Sequence, residues 1–399
     1  MADVVASITG RFRSYTGLEP ADPSTSLKAA ISQAGHDTLV ALFPAQKSIL
    51  DQELVDALAT VEAGAAKDLG VELGKKSAET ILAIRQNDGS EKSEPIVPIN
   101  YVPKNEPGKW RPDALNPDQK AIGANWNKVI PFVISSADEF RLPPPPALDS
   151  PEYAEAFNEV KALGGDGVIT PTVRTPEQTE IGIFWAYDGT PTLCAPPRLY
   201  NQITVKIAQD HNLDVVEMAR LLALVNLAMA DAGSSSWDSK YAYEYWRPVT
   251  GIREADAGTG PTGLGDRNPE TQGDVNFTPL GAPASNLSAN NFTPPFPAYP
   301  SGHATFGGAL FQTLRKYFGT DDISFSFISD EFNGVTVDNQ GNVRPLVERH
   351  FDNLSQAEEE NGQSRIYLGI HWSFDKTSGI EQGRKVADVV FENAYQTLN

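Results

Sequence analysis

The sequence predicts a mainly α protein, two helix bundles joined by long connections. Three observations carry that expectation. Apolar residues recur at helical spacing through the regular stretches, alternating β-branched runs are few, and long Pro- and Gly-rich segments separate the helical ones. With 399 residues, 40% of them hydrophobic, the chain can fill one large core or two medium ones. The expected divisions are an N-terminal arm over 1–25, a helical bundle over 26–170 and a second bundle over 171–399, with a single globule as an equally good description.

In chain order, residues 1 to about 24 are polar and rich in turn formers, hence the arm. From Ser26 to about Gln86, "SLKAAISQAGHDTLVALF", "DQELVDALATVEAG" and "SAETILAIRQNDG" each begin near an Asp or Ser cap and place apolar residues along one stripe. These predict helices of an antiparallel bundle. Residues 88–120 have little period and read as a surface crossover. "RLPPPPALDSPEY" is a stiff polyproline spacer before a helix over 152–163. "VVEMARLLALVNLAMADA" (Val215 to Ala232) is apolar on nearly every face and belongs at the centre of a core. Residues 257–300 form the longest loop, and helices resume at about 301–318, 354–371 and 379–398.

Charge is lopsided, 32 basic against 52 acidic residues, net −20. Such a surface repels nucleic acid and anionic membrane, so neither is an expected partner, and any anion site must gather its cations locally. The lone cysteine, Cys194, can build neither an intrachain disulfide nor a zinc cluster. The N-terminus lacks a signal peptide's basic start and apolar run, and the longest apolar run is too short to span a bilayer. The expectation is a soluble protein, cytoplasmic by default. Apolar N-terminal helices leave room for a homo-oligomer.

Three stretches carry chemistry. In "WDSKYAYEYWRP", Lys240 and Arg247 are seven apart, two helical turns, so the spacing puts both on one face, with Pro248 placing Arg247 at the helix end. The Trp and Tyr around them point to partial burial, where unpaired cations are costly unless an anion arrives. In "AYPSGHATFGGALF", Ser301 is a helix N-cap and Gly302 bares the first-turn amides at the positive end of the helix dipole, with His303 beside them. In "SRIYLGIHWSFD", Arg365 and His371 sit six apart among Ile, Tyr, Leu and Trp and need partners. Each stretch has a bland reading: a solvated basic face, a plain cap, a core histidine. Together they offer three cations, a helix N-terminus and two of the chain's five histidines, the set needed for a highly charged tetrahedral oxyanion.

These stretches resemble the three-part signature of the superfamily joining vanadium-dependent haloperoxidases with membrane and acid phosphatases. The signature is Lys, six residues, Arg-Pro; Pro-Ser-Gly-His; and Ser-Arg, five residues, His, matched by Lys240 to Arg247-Pro248, Pro300 to His303, and Ser364-Arg365 to His371. The flanks, with "IFWAYDGTPTLCAPPRLYNQI" (Ile183 to Ile203), resemble fungal-type vanadium chloroperoxidases from about residue 180 to 378. The resemblance implies two four-helix bundles and a vanadate cofactor. It implies His371 as the sole protein ligand to the metal, and Lys240, Arg247, Arg365, Ser301 and Gly302 as holders of the vanadate oxygens. His303 would move protons, Lys240 would polarise bound peroxide, and Asp188 would orient Arg365. Trp237 and Phe296 match aromatic residues of the halide pocket, where bromide-preferring algal members carry His in place of Phe296.

The reaction so implied is oxidation of bromide and iodide, with chloride also plausible, by hydrogen peroxide to hypohalous acid, which halogenates a small organic acceptor. An acid phosphatase using the same pocket, with His371 as nucleophile, is the competing enzyme. A scaffold that only binds phosphate is the non-enzymatic alternative. The loop "DNQGNV" (Asp338 to Val343) has oxygen donors of the kind that hold calcium, with an ordinary turn as the competing reading.

Overall fold

The computed structural model describes residues 1–117 and 119–398. They form two compact units, each discontinuous in sequence. The first gathers Met1–Asp88, Ala208–Leu224 and the residues from Val390 onward; the second gathers Gly89–Ile207 and Val225–Val389.

In the first unit, the expected arm is instead a helix at its start, α1 (Ala2–Thr9), closed by left-handed Gly10. Val4 and Val5 are buried. The buried Asp3 carboxylate accepts from the Ser14 hydroxyl at 2.8 Å and the Tyr15 amide at 2.6 Å. Eight residues give too few turns for the apolar period to register. Helix α2 (Leu27–Leu42) starts at its predicted cap, with the Ser26 hydroxyl accepting from the Ala29 amide, whereas α3 (Lys47–Ala59) and α4 (Ala65–Ile84) begin before the expected Asp and Ser caps, at Gln46 and Gly64, with no side-chain cap. Gly70 and Gly74 let α4 lie directly on α2: a Cβ on Gly74 would stand 2.6 Å from Cβ of Gln33.

In the second unit, α5 (Pro151–Leu163) follows the polyproline spacer and is capped by Ser150. Two unexpected helices come next, α6 (Pro176–Phe184), opened by a reciprocal Thr175–Gln178 capping box, and α7 (Pro196–Asp210). Helix α8 (Val215–Tyr243), which belongs to the second unit from Val225 onward, is the predicted apolar helix, and it runs on through "WDSKYAY". A short α9 (Pro248–Arg253) precedes the long loop, and α10 (Gly302–Phe318) starts at its Ser301 cap. A two-stranded antiparallel ribbon, β1 (Phe325–Asn333) with β2 (Leu346–Phe351), was not expected. Its inner face is built from Phe325, Phe327 and Phe351. Helices α11 (Leu354–Tyr367) and α12 (Ser373–Asn393) complete the chain. The helix expected to reach His371 thus stops at Tyr367, and the next begins at Ser373 rather than Gly379. Gly369 is the cause: it takes a left-handed φ of 71°, and a Cβ there would lie 2.4 Å from the Gly164 carbonyl oxygen.

Aromatic packing fixes the turn that follows. Trp372 is fully buried, lies nearly parallel to Phe157 at 6.2 Å, and donates its indole N–H to the Trp246 carbonyl at 2.9 Å. Helices α10 and α12 meet backbone to backbone, since a Cβ on Gly308 would lie 2.5 Å from the Ile380 carbonyl and one on Gly383 would lie 2.0 Å from that of Thr305. Gly383→Ala is therefore expected to lower stability by roughly 1–3 kcal/mol through forced separation of the two helices. Thermal unfolding reads this as a fall in Tm, and an unchanged Tm would refute so close a crossing. Among the described residues no helix is long and apolar enough to cross a membrane.

Candidate active site

The three chemical stretches meet inside the second unit. Lys240, Arg247, Arg365 and His371 are 0%, 1%, 1% and 2% exposed, so burial is complete rather than partial. Lys240 stands in the last turn of α8. Arg247 does not share its helical face, as the seven-residue spacing predicts, because α8 ends at Tyr243 where Glu244 turns to a φ of 51°. Arg247 is instead the N-cap residue of α9, extended as the following Pro248 requires. It reaches back to donate from Nε to the Phe296 carbonyl and from Nη1 to that of Ile370, each at 2.8 Å.

Ser301 caps α10 by accepting from the Ala304 amide, and its own amide donates to the Asp375 carbonyl at 3.0 Å. Gly302 opens the helix, and its lack of a side chain has a second use: a Cβ there would touch the Trp237 ring at 3.2 Å. His303 is buried with Nε2 at 2.6 Å from the Ala186 carbonyl. Its own carbonyl accepts from Tyr200 at 3.0 Å and Asn361 at 2.9 Å, which fixes this first turn. Arg365, in the last turn of α11, donates from Nη2 to both oxygens of Asp188, each at 2.8 Å.

His371 lies on the tight link between α11 and α12. Its Nδ1 is 2.8 Å from Oδ2 of Asp375, which also accepts from the Trp372 amide at 3.0 Å, and its Nε2 is 2.8 Å from Nη1 of Arg247. Asp375 was not singled out by the sequence reasoning. The available signal was the His-x-x-x-Asp spacing at a helix start, which brings the carboxylate under the ring.

The electrostatics describe a pocket short of negative charge. Burial, then Arg247, pushes the Lys240 ammonium well below its ordinary value, and burial pushes Arg247 down to about 9. Burial, then Arg365, takes His303 down to about 3. Burial, then Arg247, Lys240 and Arg365, takes His371 well below the usual imidazole value. Burial raises the Asp375 carboxyl to about 7. Three buried donors have no partner: Nη2 of Arg247 and Nε and Nη1 of Arg365. Buried, unpaired guanidinium donors are costly, and an oxyanion is the group that would satisfy them. The Lys240 ammonium differs, since it already donates to the carbonyls of Pro297, Ala298 and Pro300.

An aromatic wall closes one side. The rings of Trp237 and Phe296 are 5.0 Å apart, and the Phe296 ring lies 5.1 Å from Nζ of Lys240 and 4.8 Å from Cζ of Arg247. The loop considered for calcium closes on itself, with the Asp338 carboxylate accepting from the amides of Gln340 and Asn342 and from Nδ2 of Asn342. Among the described residues no group of three acidic, His or Cys side chains is disposed to hold a metal ion.

Two buried guanidinium groups, an ammonium group and a helix N-terminus thus gather in a helical bundle around a carboxylate-backed histidine, a donor set that an oxyanion would satisfy. Residues 220–399 match the model of the VCPO second helical-bundle domain. The chain is 37% identical over 322 residues to the vanadium chloroperoxidase of Curvularia inaequalis, across 71% of this chain. It spans half the length of that relative, 50%. The solved structure of a bacterial vanadium-dependent iodoperoxidase superposes with a TM-score of 0.77 at 24% identity, covering 100% of this chain and 89% of the other. An apo bacterial vanadium-dependent chloroperoxidase does so with a TM-score of 0.71 at 17% identity, covering 98% and 89%. By these matches the chain is similar to vanadium-dependent haloperoxidases, and its residues 220–399 match the second helical-bundle domain described for them.

Proposed function

We propose that this chain holds vanadate in the buried cation pocket and uses hydrogen peroxide to oxidise halide to hypohalous acid, which halogenates an organic acceptor. The observation that carries the proposal is the unpaired set of guanidinium donors on Arg247 and Arg365 beside the Nε2 of His371. The donor chemistry fits: an oxyanion of high charge takes guanidinium and main-chain donors, and a neutral imidazole takes the metal. When bound, vanadate supplies a Lewis-acidic centre at which peroxide becomes electrophilic toward halide.

The protein's own groups prepare that site. Asp375 holds the proton of His371 on Nδ1, so Nε2 keeps its lone pair for the metal, and Arg247 can release that nitrogen while keeping its bond to Ile370. Because His371 titrates well below the usual imidazole value, no proton competes for Nε2 at neutral pH. Arg365, oriented by Asp188, and Arg247 offset the oxyanion's charge in a water-poor pocket where each contact is strong. Lys240 joins them by exchanging a carbonyl partner for an oxyanion oxygen. With the ring proton of His303 on Nε2 against Ala186, Nδ1 is the nitrogen that would take and return a proton, once the ring, held at about 3 by burial and Arg365, is raised by a bound oxyanion.

The test is a vanadate titration of the apo protein, read as phenol bromination and compared with p-nitrophenyl phosphate hydrolysis. A vanadate-dependent bromination rate is expected; phosphate ester hydrolysis without bromination would establish the phosphatase reading instead. Asp375→Asn is expected to weaken vanadate binding roughly 10–100-fold by leaving the His371 tautomer unheld. The half-saturation point of the same titration measures it, and an unchanged value would remove Asp375 from this role.

Halide choice is assigned to the Trp237–Phe296 wall, whose apolar rings beside two cations suit a weakly hydrated anion. Bromide and iodide are expected substrates, with chloride also turned over at mildly acid pH. Phe296→His is expected to lower the chloride-to-bromide rate ratio roughly tenfold by exchanging the ring contacts on Lys240 and Arg247 for a hydrated imidazole. Steady-state rates with each halide measure the ratio, and an unchanged ratio would place halide selection elsewhere.

A further inference from the structure

We propose that an apolar cavity behind Trp237 is the binding site for the organic acceptor, a neutral aromatic molecule of one or two fused rings. Halogenation then takes place on a bound acceptor, not only in free solution. The inference rests on the haloperoxidase reading above and extends it to a second site.

The cavity has a volume of about 320 Å³ and is walled chiefly by Ile122, Trp126, Met229, Gly233, Trp237 and Phe306. No Asp, Glu, Lys, Arg or His lines it, in a chain with 84 such charged groups besides its histidines (32 basic plus 52 acidic). A cavity of about 150 Å³ accepts benzene, so this one has room for a fused bicyclic ring. Missing side chains keep it open. A Cβ on Gly233 would lie 2.9 Å from the Phe306 ring, and one on Gly123 would lie 1.8 Å from the Trp237 indole nitrogen. Ile122 and Trp126, 39% and 43% exposed, form a mouth reachable from water.

Trp237 is the wall shared by the two sites. On one side it meets Gly302 and Phe296 and lies 5.6 Å from Nζ of Lys240. On the other it lines the cavity with Phe306, their ring centroids 6.0 Å apart. Its indole N–H donates to the Ile122 carbonyl at 3.1 Å, tying the mouth to the wall. Because Trp237 borders both, hypohalous acid released from the cation pocket forms beside a residue that walls the cavity. There the π pair of the acceptor's ring carbon forms the carbon–halogen bond. The oxygen–halogen bond breaks with its electrons passing to oxygen. The ring proton leaves to that oxygen, and water is the by-product.

The experiment uses the full chain reconstituted with vanadate, indole as the neutral probe and an anionic dimedone-type trap that reacts with released hypobromous acid. Ala230→Phe fills the cavity, and Met229→Ala is a milder variant that enlarges it; neither residue belongs to the cation pocket. Ala230→Phe is expected to raise the KM for indole bromination roughly tenfold while the rate with the anionic trap stays within about twofold. Saturation-transfer NMR should show indole binding to the parent chain and its loss in Ala230→Phe. Met229→Ala should keep indole binding and shift its KM. If both filled and enlarged variants brominate indole with the parent KM, or if indole shows no binding, the acceptor site is overturned. If no bromide is oxidised but indole still binds and is displaced by Ala230→Phe, the cavity stands and the haloperoxidase reading fails. The two failures are therefore separable.

Discussion

His371→Ala is expected to abolish vanadate-dependent bromination, a loss on the order of 10³-fold or more, while the chain still folds. The imidazole offers a metal a neutral lone pair on Nε2, because Asp375 holds the ring proton on Nδ1 and only a releasable Arg247 donor faces Nε2. Its surroundings keep it neutral, since burial and the three nearby cations all disfavour a proton on the ring. Removing it leaves Asp375 accepting from the Trp372 amide alone, and Oδ1 of that carboxylate already has no partner. A carboxyl raised to about 7 can meet this by protonating, so the stability cost should stay near 1–3 kcal/mol. The measurement is bromination rate against vanadate concentration, with a thermal melt as the folding control. A folded His371→Ala chain that keeps the vanadate response would show that another atom holds the metal.

That expectation was largely legible in the sequence, because the pocket's charged groups sit in three short stretches of fixed spacing. Lys240, Arg247, His303, Arg365 and His371 all come together. What the spacing could not convey was how the backbone delivers them. Arg247 reads as a helix-face partner of Lys240, yet Glu244 at a left-handed φ ends α8 first, and the side chain approaches from the next element. His371 reads as helical, yet Gly369 breaks the helix because Gly164 lies against it. Both outcomes depend on residues distant in sequence. The β ribbon and α1 escaped for a related reason: each is short, and its apolar residues gain meaning only from what covers them. Asp375 was the costliest omission. It fell between the two helices expected there, and only the ring it meets makes it part of the site.

The second large effect concerns the pair that the sequence did suggest, Asp188 and Arg365. Arg365→Ala removes two donors that have no protein partner and strands a carboxylate that is only 7% exposed. Breaking one side of a buried pair is expected to cost about 3–5 kcal/mol, because the remaining charge keeps its burial and loses its compensation. Vanadate affinity should fall roughly 10²-fold or more at the same time, since both unpaired donors go with the side chain. These two losses have different origins, and a second substitution separates them. Asp188→Asn added to Arg365→Ala removes the stranded charge, so most of the lost Tm should return. The donors do not return, so the vanadate response should stay absent. Asp188→Asn alone should keep the donors but loosen their aim, lowering the response by a smaller factor than Arg365→Ala. Thermal melts and vanadate titrations on the three variants give a complete double-mutant cycle. If the double variant regains vanadate affinity, the guanidinium acts only by neutralising Asp188, and Arg365 is not a holder of the oxyanion. If Arg365→Ala leaves Tm unchanged, the carboxylate finds another partner and the pair is not what keeps this corner of the pocket in place.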